Sequence, residues 1–279
     1  MLLSNCPVNR NQIIAPGYFL MEIESPEIAG EARPGQFVMI KTRDGREPLL
    51  RRPLSLHRIS STSIELLYQV IGKGTQSLSR TRPGEFLDLL GPLGKPFPLP
   101  PSPSGTILLV AGGIGIAPLL ALAEQITKSS KFKVQGSRLT PKIKQINKNK
   151  IILLYGAKTK AHLVRINDFQ KLGIEVITIT DDGSSGRKGL ATDLLRKFPG
   201  SPSGQISAVY ACGPRPMLKS VAHLMKNKTT LVYLSLEEMM ACGMGACLGC
   251  SVRAKGKEIH YLRVCQDGPV FLAKDIILD

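Results

Sequence analysis

The chain has 279 residues, enough for two compact domains with a small appendage. Its hydrophobic fraction of 43% is ordinary for a globular protein, which excludes a collagen-like or wholly disordered chain. The formal net charge of +16 raises the question of nucleic-acid binding, but half of this excess comes from residues 127–150, which hold eight Lys or Arg residues and no Asp or Glu.

The segment 127–150 also contains Gly136, Pro141 and several Asn and Ser residues, a composition typical of a solvated loop. Basic residues elsewhere are scattered and lack the interleaved aromatic side chains of single-strand binders. We therefore expect no nucleic-acid partner. The polar N-terminus does not resemble a signal peptide, and no apolar run is long enough to cross a bilayer. A cytoplasmic protein without a membrane segment is expected.

Short β-like runs separated by turn signals fill residues 1–100, and no long helical pattern interrupts them. This spacing predicts a small antiparallel β-barrel. A proline-rich linker follows at Pro96–Pro103. The predicted strands are Phe19–Ile23, Gln36–Lys41, Ser63–Val70 and Phe86–Leu90.

From Thr106 onward the pattern becomes strand, glycine turn and helix, with a helix starting near Pro118. Continuously apolar strands of this kind are covered on both faces, so a Rossmann-like parallel α/β sheet is expected. The predicted strands are Ile107–Val110, Ile151–Tyr155, Val176–Thr180 and Ala208–Tyr210. The interpretation gives three domains: 1–100, a β-barrel; 101–235, an α/β domain with a basic loop at 127–150; and 236–279, a small cysteine-rich module.

Four of the six cysteines lie in the last module, as Cys242-x4-Cys247-x2-Cys250 and, after fourteen further residues, Cys265. Without a secretion signal this density indicates a metal site rather than disulfides. Four thiolates can hold two irons, two on each, and the spacing matches plant-type [2Fe–2S] ferredoxins. A structural zinc site is the competing interpretation, although zinc ribbons usually use two Cys-x2-Cys pairs.

Two further patterns suggest nucleotide binding. An Arg can pair with a pyrophosphate through its planar fork, so Arg51-Arg52-Pro53-Leu54-Ser55 followed by Gly72-Lys73-Gly74-Thr75 is compatible with a flavin site. Each piece alone also suits an ordinary barrel turn. The glycines after the first α/β strand, Gly112, Gly113 and Gly115, offer a helix start to a dinucleotide, but they equally suit a tight turn.

The sequence Cys212-Gly213-Pro214 ends another predicted strand, where a nicotinamide could approach a flavin. Cys212 could equally be a core residue. Asp181-Asp182-Gly183-Ser184 is a candidate ribose contact, for which an Asp-Gly turn is the commoner explanation. The four histidines share no metal-ligand spacing.

With these motifs the chain resembles the ferredoxin-reductase superfamily and, within it, the electron transfer subunits of type B dihydroorotate dehydrogenase. The resemblance covers nearly the whole chain. Its further motifs are Gly91-Pro92-Leu93-Gly94, Glu237-Glu238-Met239-Met240-Ala241-Cys242 and Cys265-Gln266-Asp267-Gly268-Pro269-Val270-Phe271.

The resemblance implies FAD in the barrel, NAD in the α/β domain and a [2Fe–2S] cluster in the C-terminal module. Electrons would pass from the FMN of a catalytic dihydroorotate dehydrogenase subunit, through the cluster and FAD, to NAD+ in pyrimidine biosynthesis. The complex would be a heterotetramer with two copies of each chain, and no acid–base residue of this chain is expected to be catalytic.

The resemblance also assigns residues to each group. FAD contacts would be Arg52, Pro53, Leu54, Ser55, Tyr68, Gln69, Val70, Gly74 and Thr75, although Gln69 stands where Arg is common. Nicotinamide nucleotide contacts would be Gly112, Gly113, Gly115, Cys212, Gly213 and Pro214. Cluster ligands would be Cys242, Cys247, Cys250 and Cys265.

Two alternatives stay open. The first is a reductase subunit of an NADP-ferredoxin transhydrogenase or of a sulfur-reducing hydrogenase. The transhydrogenase type is expected to carry Asp in place of the first cluster cysteine, and Cys242 argues against it. The second is a colourless zinc-stabilised binding module with no redox role.

Overall fold

The antiparallel barrel is present in the computed structural model, which describes residues 2–42, 48–100, 105–132, 150–198, 206–226 and 228–278. Its strands are β1 Leu2–Ala15, β2 Tyr18–Glu24, β3 Phe37–Lys41, β4 Arg52–Ile59, β5 Ser63–Gln69 and β6 Phe86–Leu93. They close in the order β1-β2-β5-β4-β3-β6, and every pair is antiparallel. Two short helices lie between strands: α1 Pro26–Glu31 and α2 Lys73–Leu78.

Strands β1 and β4 were not predicted. In β1 only Cys6 and Val8 are buried, and the other residues are partly or fully exposed. The alternation of apolar and polar residues is therefore too short to predict a strand. The strand is nevertheless long because it pairs with both β2 and β6. In β4 the signal is obscured by Arg52 and Pro53 at its start.

The parallel α/β sheet is also present. Its strands are β7 Thr106–Gly112, β8 Lys150–Ala157, β9 Glu175–Thr180, β10 Arg187–Lys188, β11 Ile206–Cys212, β12 Leu231–Ser235 and β15 Val270–Leu272. The order is β10-β9-β8-β7-β11-β12-β15, and all pairs are parallel except β12 with β15. The helices are α3 Ala117–Phe132, α4 Ile166–Lys171, α5 Ala191–Lys197 and α6 Arg215–Met225.

The unbroken apolar run of β7 follows from burial on both faces of the sheet. Ile107 and Leu109 pack in the cluster that contains α3 and α4 side chains. Leu108 and Val110 pack in a second cluster with α5 and α6 side chains. The multidomain β plus α/β fold class predicted from the sequence is therefore confirmed.

The C-terminal segment forms a two-stranded hairpin, β13 Ser251–Arg253 with β14 Tyr261–Arg263. Its last strand, β15, then adds to the α/β sheet by pairing with β12. The segment also contacts the barrel, because the Lys95 N–H donates to the Gly268 carbonyl at 2.5 Å. The domain boundaries at 100 and 235 stay predictions.

The basic loop predicted at 127–150 is shorter at both ends. Helix α3 continues through Phe132, and the Thr127 hydroxyl donates to the Ala123 carbonyl one turn earlier at 2.8 Å. Lys150 opens β8. Residues 133–149 lie outside the described residues. No helix in the described part of the chain is both long enough and apolar enough to cross a membrane.

Candidate functional site

The first predicted contact group lies where β4 begins and α2 begins. Gly74 is buried against the Arg52 guanidinium, so closely that a Cβ atom at residue 74 would overlap Nε and lie 3.0 Å from Cζ. Pro53, Leu54 and Ser55 continue along β4 as half-buried residues. We call this corner, with Tyr68–Val70 and Thr75, the flavin corner. It brings most of the predicted FAD contacts together.

The two adjacent arginines differ in their partners. Arg51 makes a two-pronged ion pair with Asp88 of β6, at 2.9 and 2.7 Å. The Arg52 guanidinium, among the described residues, donates only to the backbone carbonyls of Leu50 and Arg51. With no carboxylate partner for its guanidinium in the described part of the chain, Arg52 offers the planar, charged fork that a pyrophosphate would need. The residues present fit FAD at this point.

Other predicted FAD residues have different surroundings. The Tyr68 side chain is buried inside the barrel, donates to Asn11 Oδ1 at 3.0 Å and stacks on Phe19, so only its backbone could reach a ligand. Burial also raises the pKa of the Tyr68 hydroxyl. Thr75 accepts from the Ile71 and Gly72 N–H groups through its hydroxyl, which fixes the start of α2.

The second group lies at the carboxyl ends of β7 and β11, which are neighbours in the sheet with Ala111 opposite Cys212. We call residues 112–116 the glycine turn. Gly115 lies directly against the Cys212 carbonyl, where no Cβ atom could fit. All six residues predicted to contact the nicotinamide nucleotide are therefore at one sheet edge, the position at which parallel α/β sheets bind ligands.

Cys212 itself is a core residue, 1% exposed, and burial raises the pKa of its thiol. Gly213 and Gly112 both lie against the Met217 side chain. Near Met217 is a cavity of about 120 Å³, lined by Gly213, Pro214, Arg215, Leu218, Leu236, Glu237 and Glu238.

The flavin corner and the glycine turn are joined by Tyr18, another residue that the sequence did not single out. A Cβ atom placed on Gly113 would lie 3.8 Å from the Tyr18 hydroxyl. Tyr18 in turn pairs with Gln69 across β2 and β5. The two predicted nucleotide sites therefore face each other across Tyr18.

The four predicted cluster cysteines lie in a tight loop, Cys242–Cys250, and on the segment after β14. Backbone N–H groups point at the sulfurs: Gly245 donates to Cys265 Sγ at 3.1 Å, and Cys247 donates to Cys242 Sγ at 3.4 Å. Burial alone would raise the pKa of the Cys242 thiol, but the N–H groups of Cys247 and Met244 lower it to about 6. Such donors stabilise thiolates, the form that binds metal.

The thiols are arranged in two pairs. The Cys247 N–H donates to Cys242 Sγ, and the Cys265 N–H donates to Cys250 Sγ, both at 3.4 Å. No group of three or more Cys, His, Asp or Glu side chains converges as around one ion within the described residues. Two thiolate pairs fit a cluster of two irons, in which each iron takes two thiolates. The loop also reaches the barrel, since Gly243 lies against the Met39 side chain of β3.

The remaining candidates are structural. Asp182 Oδ1 accepts from the Ser184 N–H and hydroxyl, at 2.9 and 2.6 Å, and these bonds lower the pKa of its carboxyl. This is the turn that the Asp-Gly sequence suggested.

His57 is completely buried between the barrel and α3, although no sequence pattern distinguished it from the other histidines.

Comparison with known proteins adds two family matches. Residues 237–277 match the iron-sulfur cluster binding domain of dihydroorotate dehydrogenase B, and residues 109–223 match an oxidoreductase NAD-binding domain. The chain is 39% identical over 274 residues to the dihydroorotate dehydrogenase B (NAD(+)) electron transfer subunit of Bacillus caldolyticus, covering 97% of each. It is 36% identical to the Fusobacterium nucleatum subunit, covering 100% of each.

Solved structures show the same fold. The structure of an NADH-dependent reduced ferredoxin-NADP oxidoreductase is 28% identical, with a TM-score of 0.81, and covers 99% of this chain and 90% of its own. The ferredoxin NADP+ reductase of Neisseria gonorrhoeae with bound FAD and NADP has a TM-score of 0.63 at 18% identity, covering 81% of this chain and 92% of its own. The two family models, the electron transfer subunits and the 28% identical structure together confirm the predicted FAD, NAD and [2Fe–2S] cofactors.

Proposed function

This chain belongs to the electron transfer subunits of dihydroorotate dehydrogenase B, and from that premise we propose that it carries electrons from a catalytic subunit to NAD+. The observation that carries the proposal is that the cysteine loop and the glycine turn both lie against the β-barrel, which contains the flavin corner. The cysteine loop lies on the barrel at Met39, and the glycine turn faces the barrel at Tyr18. The barrel that would hold FAD is therefore adjacent to both other sites, which supports a route for electrons through the flavin.

The proposed ligands follow from these positions. FAD is held by Arg52, Pro53, Leu54, Ser55, the Tyr68–Val70 backbone, Gly74 and Thr75. The nicotinamide nucleotide is held by Gly112, Gly113, Gly115, Cys212, Gly213 and Pro214. The cluster is held by Cys242, Cys247, Cys250 and Cys265. Bound flavin supplies the exchange between two-electron chemistry with nicotinamide and one-electron chemistry with a cluster.

The protein's own part is binding and orientation. Arg52 provides a fork for the pyrophosphate, and the N–H groups at the cysteines stabilise negative charge on sulfur. Cys212 is too deeply buried to act as an acid or a base, and burial keeps its thiol protonated. Hydride transfer is the chemistry of the bound flavin, and Cys212 is not proposed as its proton donor or acceptor.

The proposed partner is an FMN-containing catalytic subunit that oxidises dihydroorotate, with two copies of each chain in the complex. Three apolar side chains beside the cluster cysteines support a protein contact there. Met239 is 91% exposed, Leu248 is 62% exposed and Met244 is 46% exposed. Exposed apolar groups concentrated in and next to one loop are costly in water and typical of an interface.

Reconstitution tests the proposal. The chain alone should oxidise NADH with an artificial acceptor but should not oxidise dihydroorotate. With the FMN subunit added, NAD+-dependent orotate formation should appear. A stable mixture with full cluster and flavin that never reduces NAD+ with dihydroorotate would contradict the proposal and favour the transhydrogenase or hydrogenase alternative.

The contact itself is tested by charge insertion. Met239→Lys and Leu248→Lys should weaken binding of the FMN subunit at least tenfold, because each places a charge in an apolar interface. The matched control is Ile13→Lys, which changes an apolar residue on β1 of the barrel that is as exposed as Leu248. Equal loss of binding for the control would rule out the cysteine loop as the specific contact.

A further inference from the structure

His57 joins the strand of the flavin corner to the nucleotide domain. It lies on β4, two residues after Ser55, and has no exposed surface. Its Nδ1 atom is 2.8 Å from the carbonyl oxygen of Ala117. Ala117 is the first residue of α3 and directly follows the glycine turn. One hydrogen bond therefore connects the two predicted nucleotide sites.

The direction of this hydrogen bond is fixed. A carbonyl oxygen can only accept, so the proton is on Nδ1, and Nε2 keeps a lone pair. Nε2 is buried with no hydrogen-bond partner in the described part of the chain. Burial, with the nearby charges of Arg165 and Arg58, lowers the pKa of the ring to about 3, so it stays neutral. The ring is a fixed donor towards α3.

A β-bulge aims His57 at the helix. Leu56 pairs with Leu66, and Arg58 pairs with Glu65, the next residue along β5. His57 is therefore an extra residue in β4 without a partner on β5. Bulges turn side chains away from their regular direction and often occur beside active sites. Here the bulge turns His57 and Arg58 to the same helix, since Arg58 binds Glu124 of α3.

The bond is not needed to satisfy the helix. The carbonyl of the first residue in an α-helix accepts from the N–H four residues later, so Ala117 has an intrahelical donor. A buried imidazole with an unpartnered nitrogen is also less favourable than an apolar side chain of similar size. The hydrogen bond between His57 and Ala117 is therefore better explained by the positioning of α3 than by a contribution to folding stability.

Resting on the proposed function, we infer that His57 is a positioning residue that fixes the distance between the glycine turn and the flavin strand for hydride transfer. His57 has no exposed surface, so its side chain cannot touch the reacting atoms. Its effect comes through Ala117, and hydride transfer is sensitive to displacements of about 1 Å, which can lower a rate about 100-fold.

Three variants test the inference. His57→Leu fills the space without a donor. His57→Asn places an amide N–H near the Nδ1 position, whereas His57→Gln places it near Nε2, away from Ala117. The rate of flavin reduction at saturating NADH should fall roughly 10- to 100-fold in the Leu and Gln variants and recover in the Asn variant. The dissociation constant for NADH should change much less.

Amide hydrogen exchange of residues 113–121, without NADH, provides a second readout. Exchange should be faster there in His57→Leu and His57→Gln, with the rest of the sheet unchanged and His57→Asn near wild type. Ile64→Val, a buried substitution on β5, is the control for general loosening of the barrel.

Two results would overturn the inference, and a third would overturn its premise. Wild-type rates and exchange in His57→Gln would overturn it, as would exchange that rises equally in both domains. If His57→Leu does not fold, the contrast between Asn and Gln still decides. If wild-type flavin is not reduced by NADH, the proposed function fails, and the exchange data still test the position of the turn.

Discussion

Arg58 of β4 donates from Nε to Oε1 of Glu124 in α3 over 2.7 Å, joining the barrel to the α/β domain. The same guanidinium reaches Glu65 and Asp168, each at 3.2 Å. Arg165 at the start of α4 adds a pair with Asp168 at 2.9 Å. A network of half-buried charges therefore lies between the two domains, beside the His57 bond.

Glu124→Gln should lower the free energy of unfolding by about 1–3 kcal/mol, because it removes the charge from a short, half-buried hydrogen bond. Urea denaturation measures the change. Glu175→Gln makes the same substitution in the exposed Lys150–Glu175 pair, where the side chains are 44% and 50% exposed. That control should stay within about 0.5 kcal/mol of wild type. Equal losses in both variants would argue against the network.

Neutral, buried His57 should make the protein sensitive to acid. Its ring has a pKa of about 3 in the folded state, against an ordinary value of 6.5. Above pH 6.5 both states hold a neutral ring. As the pH falls, the unfolded chain takes up a proton that the folded chain does not, so stability falls by up to about 1.4 kcal/mol per pH unit.

His57→Asn removes this titration and keeps the donor. Its free energy of unfolding should therefore fall less steeply than that of wild type between pH 6 and pH 4. Denaturation at a series of pH values measures the two slopes. Parallel curves would show that the ring is not held neutral.

A methyl group at residue 74 should expel flavin. In Gly74→Ala the new Cβ overlaps the Arg52 guanidinium and moves it, so flavin content should fall strongly. Gly72→Ala is the matched control, because no atom lies within 4 Å of its Cβ position and its backbone is extended. Absorbance at 450 nm against protein concentration gives the flavin content.

The same site gives an arginine series. Arg52→Ala should lose flavin, and Arg52→Lys should recover little, because Lys lacks the planar fork. Arg51→Ala should retain flavin while losing its ion pair with Asp88. Normal flavin in Arg52→Ala would move the pyrophosphate site away from this corner.

Cys247→Ser should lose the cluster and keep the flavin, since the cysteine loop and the flavin corner are separate segments. Iron and acid-labile sulfide are measured against flavin in the purified protein. Cys6→Ser, in the barrel core, should keep full iron. A Cys247→Ser protein with full iron and sulfide would exclude Cys247 as a ligand.

The sequence by itself determined the features that depend on a short stretch of chain. The cysteine spacing indicated a two-iron cluster, because ligands on one loop are brought together by the loop itself. The apolar run before Gly112 indicated a strand buried on both faces, and the two core clusters on either side of β7 confirm it.

Only the tertiary structure decided how distant residues meet. The bulge at His57 depends on which β5 residues pair with β4, and no local sequence pattern predicts that pairing register. Tyr18 comes to the glycine turn because the barrel closes and then packs on α3. Strand β15 joins the α/β sheet from within the cysteine-rich segment, since the free edge of β12 accepts its backbone hydrogen bonds. These contacts join separate segments of the chain, and packing and hydrogen bonding select them only when the chain is folded.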